Sequence, residues 1–271
     1  MMGACTILAA VICTSALASS RSGKTFSFNS QGTAYEAELD RSVDPSPYDP
    51  DRFVSSGSSM TYEDKTYTSR MGVDVSYYQG DIDWEKVKKA GYEFAFIRAG
   101  YRGYGDAGNI KADENFVKNV QGAQAAGLDV GVYFFSQAVS EKEARAEADF
   151  VVKMIEDNGL SIDLPIAFDP EKVFTSDSRT SLLKDSQFTQ NCLTFCKEIA
   201  SRGYDTAIYS SMLWEAFTFD MSQFRGIPIW YCDYVSKPQT PYNFRFWQYS
   251  STATVDGIPT PCDVDIELYR K

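Results

Sequence analysis

From Met71 onward, short apolar runs alternate with amphipathic stretches, and this alternation commits the chain to a parallel sheet whose strands are joined by crossover helices. Short apolar runs predict strands over 71–76, 94–99, 130–136, 165–169 and 206–210. Helical spacing predicts helices over 84–90, 115–126, 141–157, 188–202 and 212–217, the second and fourth closed by Gly127 and Gly203. After residue 229 the helical period stops, and three strand-like runs remain, over 229–231, 244–249 and 264–269. Five βα units finished by three bare strands, a TIM-like (β/α)5(β)3 barrel of the α/β class, fit this count better than an eightfold βα barrel. In such a barrel functional groups gather at the carboxyl ends of the strands.

The chain contains no histidine, so Ser-His-Asp and Cys-His nucleophile pairs, HExxH zinc sites and imidazole proton shuttles are all excluded. Carboxylates are left to move protons. With 37 Asp and Glu against 26 Lys and Arg, the net charge of -11 argues against a nucleic-acid partner and makes an anionic polymer repulsive at low salt. The six cysteines match no metal-ligand spacing; Cys192 and Cys196 suit a buried helix face, and Cys232 and Cys262 are open to pairing in an oxidising compartment. No metal and no cofactor are expected.

Residues 1–18 hold an uncharged apolar run ending in Ala16-Leu17-Ala18, which reads as a cleaved signal peptide or, left in place, a hydrophobic anchor. A secreted or cell-envelope location follows, with membrane anchoring only through that segment. Residues 19–70 are rich in Ser, Asp, Pro, Gly and Tyr and read as a flexible polar linker, leaving 71–271 as the folded domain. A monomer is expected.

Acidic residues fall where strands end: Asp74 in the first, Asp169 and Glu171 in the fourth, and Asp263 with Asp265 in the last. Asp169 and Glu171 are two apart, which in extended backbone puts both on one side at a Cα spacing of roughly 6.5 Å. Carboxylates that close suppress each other's ionisation, leaving a protonated acid beside an ionised partner, the arrangement glycoside hydrolysis uses. Aromatic residues cluster at the same ends, among them Tyr77, Tyr78, Tyr101, Tyr104, Tyr133, Trp230, Tyr231, Tyr234, Trp247 and Tyr249, as flat faces for a carbohydrate.

These residues stand in an order that resembles the glycoside hydrolase family 25 lysozymes. The matching stretches are Gly72-Val73-Asp74-Val75-Ser76-Tyr77-Tyr78-Gln79-Gly80, Phe96-Ile97-Arg98-Ala99-Gly100-Tyr101, Gly131-Val132-Tyr133-Phe134-Phe135-Ser136, Pro165-Ile166-Ala167-Phe168-Asp169-Pro170-Glu171, Ile208-Tyr209-Ser210 and Phe246-Trp247-Gln248-Tyr249. The resemblance implies a flattened barrel and cleavage of the β-1,4 bond between N-acetylmuramic acid and N-acetylglucosamine in peptidoglycan. It implies Glu171 as general acid and base, Asp169 as charge stabiliser, and Asp74 with a C-terminal aspartate completing an acidic floor. Substrate contacts are implied for Tyr78, Gln79, Arg98, Tyr101, Tyr133, Tyr209, Trp230, Tyr234, Trp247, Gln248 and Asp265. The family's closing Gly-Ile-x-Gly-x-Val-Asp-Leu-Asn run reads here from Gly257 with Thr260 at the second glycine, so gap-free spacing places the aspartate at Asp263 and Asp265 at the asparagine. Two other readings are a non-catalytic wall-binding module and a glycosidase of another N-acetylated glycan such as chitin. Retention of both Asp169 and Glu171 argues against the first.

Overall fold

The computed structural model describes residues 23–271 apart from 106, 174, 176 and 177. The signal or anchor expected over 1–18 lies outside the described residues, and among the described residues no helix is long and apolar enough to cross a membrane.

The expected flexible linker is, from residue 23 on, largely folded. Strands β1 (Thr25–Ser30) and β2 (Thr33–Glu38) form one antiparallel hairpin; β3 (Phe53–Ser56) and β4 (Ser59–Tyr62) form another. The first turns on Gln31 and Gly32, both at positive φ, the pairing a two-residue turn needs to match strand twist. Its alternating apolar positions are few, which is why composition resembled a tether, but Phe28, Ala37, Tyr48, Phe53, Met60 and Tyr62 are all buried against the rest of the molecule. The connecting strap is pinned as well: Tyr48 Oη donates to the Phe244 carbonyl at 2.9 Å, and Tyr249 Oη donates to that of Ser58 at 2.8 Å.

The main body follows in chain order: β5 (Tyr67–Val75), α1 (Trp84–Lys89), β6 (Tyr92–Arg102), β7 (Ile110–Ala112), α2 (Phe116–Ala125), β8 (Asp129–Ser136) and α3 (Glu141–Asp157). Next come β9 (Ile166–Pro170), α4 (Asp185–Ser201), β10 (Thr206–Ser211), α5 (Met212–Phe217), β11 (Ile229–Cys232), β12 (Phe246–Ala253) and β13 (Cys262–Arg270). All but β7 close into an eight-stranded α/β barrel, since β5 pairs with both β6 and β13. Neighbours from β5 to β12 run parallel, whereas β13 is antiparallel to β12 and β5. The start of β13 therefore lies at the end where the other strands finish.

Ser140 caps α3 by accepting from the Glu143 N–H, and Ala144, Ala148, Val151, Val152 and Ile155 give it a buried stripe. On α4, Cys192 and Cys196 sit on the buried face, and all four described cysteines, Cys232 and Cys262 included, are free thiols.

Side chains alternate across a strand, so one parity of each barrel strand fills the interior. Phe94, Phe96, Ala167, Ala207, Trp230 and Phe246 make that inner core, with Phe96 stacked on Trp230 at 4.3 Å between centroids. The opposite parity, including Ile97, Val132, Phe168, Ile208 and Tyr231, faces the helices and hairpins.

One carboxyl is buried well away from the strand ends' acidic cluster. Glu215 on α5 accepts from Thr240 Oγ1, and burial, then the charge of Asp233, lifts its pKa from 4.5 to about 8. Between those values the folded protein holds a proton that the unfolded chain releases, so stability is fully present below the unfolded pKa and falls as pH rises toward 8. Glu215→Gln is expected to raise Tm at pH 8.5 and leave it nearly unchanged at pH 4; equal effects at both pH values, read by thermal unfolding, would refute the assignment.

Candidate active site

At the carboxyl end of the barrel, a cavity of about 240 Å³ is lined by Asp74, Asp169, Glu171 and Asp263 together with Tyr78, Tyr133, Tyr209, Trp230 and Tyr234. Ser76, Gln79, Arg98, Phe135 and Gln248 complete the lining. A larger cavity of about 500 Å³ lies at the opposite end, but Asp44 is its only carboxylate, so it offers no acid–base pair.

The register explains why distant acids meet. Asp263 sits directly opposite Asp74 on the neighbouring strand, and Asp265 opposite Gly72, so both β13 aspartates point inward at successive depths. Asp263 reaches the cavity. Asp265 lies a layer below it, fully buried, accepting from Trp230 Nε1 at 2.7 Å. Asp169 is the penultimate residue of β9, and Pro170, whose missing N–H is tolerable at a strand end, closes the strand and leads to Glu171 at the solvent-open mouth.

This crowding shifts every carboxyl upward. Burial, followed by the charges of Asp263 and Asp265, raises Asp74, against the opposing hydrogen bond from Gln248. Asp169 rises through burial and the neighbouring Glu171, partly offset by Arg98. Asp265 is raised by burial. Desolvation in the narrow mouth, then Asp263, raises Glu171. Asp263 itself is raised by burial only to about 6, and its charge is the second cause, after burial, that raises Glu171.

Polar contacts hold the cluster in place. Gln248 Nε2 donates to Asp74 Oδ2 at 2.7 Å, while its Oε1 accepts from both Tyr209 Oη, at 2.9 Å, and Tyr234 Oη, at 2.8 Å, which fixes the amide's orientation. Arg98 is ion-paired with Asp113 at 2.9 Å and lies within 5.1–5.4 Å of the Tyr77, Tyr78 and Tyr101 rings. Gln79 accepts from the Ser76 N–H and closes a 3-10 turn at Tyr77–Gln79.

Three expected substrate contacts do not line the cavity. Trp247 follows Phe246 and precedes Gln248, both inward, so parity sends it outward, where its ring meets Phe53 at 5.2 Å and its Nε1 donates to the Asp233 carbonyl. Tyr231 and Tyr249 share that outward parity. Tyr101 stands behind Arg98, and Asp265 below the floor. Conversely, Ser76, Phe135 and Asp113 were not anticipated. Ser76-x-x-Gln79 is a capping-box spacing, and Phe135 shares parity with Tyr133, so both carried a legible signal. Asp113 carried none, because only the β6–β7 turn brings it to Arg98.

The chain is 27% identical over 195 residues to the autolytic lysozyme of Clostridium acetobutylicum, a match covering 72% of this chain and 54% of that protein. It is 30% identical over 204 residues to lysozyme M1 of Streptomyces globisporus, covering 71% and 65%. The chain thus spans roughly half to two-thirds of these curated relatives. Its fold matches the modular autolysin LytC from Streptococcus pneumoniae, solved in complex with a synthetic peptidoglycan ligand, with a TM-score of 0.64 at 18% identity over 90% of this chain and 58% of that one. Residues 73–258, which include Asp74, Asp169 and Glu171, match the model of glycosyl hydrolases family 25, and the chain belongs to that family.

Proposed function

We propose that this protein is a peptidoglycan hydrolase cleaving the β-1,4 bond between N-acetylmuramic acid and N-acetylglucosamine, and that it acts outside the cell or in its envelope. The observation that carries the reading is the convergence of Asp74, Asp169, Glu171 and Asp263 on one aromatic-walled cavity. Glu171, whose pKa burial and Asp263 raise, donates its proton to the glycosidic oxygen as the C1–O bond breaks, and the leaving sugar departs as an alcohol. Positive charge developing on the ring is met by Asp263, the least raised of the clustered aspartates, while Asp169 orients the acetamido group of the sugar. Water then supplies hydroxyl to C1 and returns a proton to Glu171. Gln248, held by two tyrosines, keeps Asp74 aimed at the site. The names of the lysozyme relatives and the ligand in the autolysin structure support peptidoglycan as the substrate.

The test is product mass spectrometry on purified peptidoglycan and on chitin oligomers. New reducing ends on N-acetylmuramic acid are expected. Reducing ends on N-acetylglucosamine, or turnover of chitin alone, would replace this reading with a different glycosidase, and no turnover of either glycan would favour a binding module.

A further inference from the structure

The cavity of about 500 Å³ lies where the parallel strands begin, at the end of the barrel away from Glu171. Ile229 opens β11 there and Arg245 immediately precedes β12, while antiparallel β13 finishes there with Arg270 opposite Tyr67. Its wall is gathered from separate segments. Arg225 comes from the loop before β11, and Val43 and Asp44 come from the strap that follows the first hairpin. Asp44, Tyr67 and Arg270 all fall outside the family-matched residues 73–258, so part of this wall is built beyond the matched region.

The lining inverts the sign of the chain. Against a net charge of -11, it holds three guanidinium groups and a single carboxylate, Asp44. Arg245 is already held by buried Glu267, at 2.7 Å, which Arg70 shares. Arg225 and Arg270 have no carboxylate partner among the described residues: the first donates to the Ser42 carbonyl at 2.6 Å, and the second lies over the Tyr67 ring at 5.3 Å. A guanidinium stays charged and presents forked donors suited to oxyanions. A phosphate monoester offers three acceptor oxygens and nearly two charges, so guanidiniums from different segments can share it, whereas a carboxylate offers two oxygens. The volume lies within the range of roughly 300–1,000 Å³ usual for small-molecule sites, and Tyr67 and Tyr269 add flat faces for an organic carrier. A long polyanion would meet the negative charge of the remaining surface.

We propose that this arginine-lined cavity at the amino end of the barrel binds a small phosphate monoester, of the sugar phosphate class, with Arg225 and Arg270 engaging the phosphate. Calorimetric titration of the full chain with glucose 6-phosphate is expected to show saturable binding. Its Kd should rise about tenfold in Arg270→Gln and in Arg225→Gln, each losing one charge-assisted partner. Arg270 is exposed and holds no carboxylate, so Arg270→Gln should keep the wild-type Tm, and Arg270→Lys should recover part of the affinity by restoring the charge. Glucose should not bind, inorganic phosphate should bind more weakly than glucose 6-phosphate, and added NaCl should weaken both anions. Peptidoglycan hydrolysis should be equal in Arg270→Gln and wild type, so the fate of this site and that of the catalytic reading are read separately. Absence of binding by calorimetry and thermal shift, or binding untouched by both glutamine substitutions, would overturn the inference. Tighter binding of poly(glycerol phosphate) than of glucose 6-phosphate would overturn the monoester assignment.

Discussion

Glu171→Gln is expected to lower the rate of reducing-end release from peptidoglycan by about 10²–10⁴-fold, the usual contribution of a positioned general acid. The change is nearly isosteric and removes the dissociable proton while keeping polarity, and Glu171 sits at the open mouth of the cavity, so Tm should hold. Glu171 is also the neighbour that, after burial, raises Asp169 most, so the Asp169 pKa should fall in this variant. Because burial and Asp263 raise Glu171, the alkaline loss of wild-type activity should lie above the ordinary carboxylate range, and Glu171→Gln should abolish that limb. A Glu171→Gln protein with ordinary activity would remove Glu171 from the chemistry. Loss of activity accompanied by a fall of many degrees in Tm would show that the residue matters to the fold instead.

Gly72→Ala is expected to destabilise the barrel by about 2–3 kcal/mol, or roughly 5–10 °C in Tm. Gly72 lies inside β5 rather than in a turn, and the constraint is space. A Cβ there would fall 2.2 Å from the Phe94 ring. That ring cannot swing aside freely, because Phe96 and Phe246 stand 6.0 Å and 5.8 Å from it and the Arg70 guanidinium covers it at 5.6 Å. Gly131 makes the same accommodation for Phe96, at 2.4 Å. Phe94→Leu introduced into Gly72→Ala should recover part of the loss by freeing volume where the methyl enters, so the two changes should be non-additive in thermal unfolding. An unaltered Tm for Gly72→Ala would mean that the aromatic core repacks at no cost.

Much of the site was legible before any coordinates. The strands ending in Asp74 and Asp169 announce themselves by apolar runs closed by acids, and parity alone places Tyr133 and Gln248 on the inner face. The same parity, applied strictly, excludes Trp247, since neighbours on a strand cannot both face one cavity. Residues 23–70 escaped recognition for a different reason. Their hairpins carry too few apolar residues to declare a core of their own, and they bury Phe28, Phe53, Met60 and Tyr62 only because the barrel offers a partner surface.

Local patterning thus determined the order of strands and helices, the carboxylate chemistry forced by the absence of histidine, and which acids end strands. Periodicity and composition act over a few residues, so one chain suffices to read them. The closing of β13 against β5, which sets Asp263 beside Asp74 and sinks Asp265 beneath them, was decided by tertiary structure, as were the Asp113 clamp on Arg98 and the meeting of Arg225 and Arg270 at one cavity. Each depends on register between segments far apart in the chain, and register is set when buried surfaces from both partners are matched together.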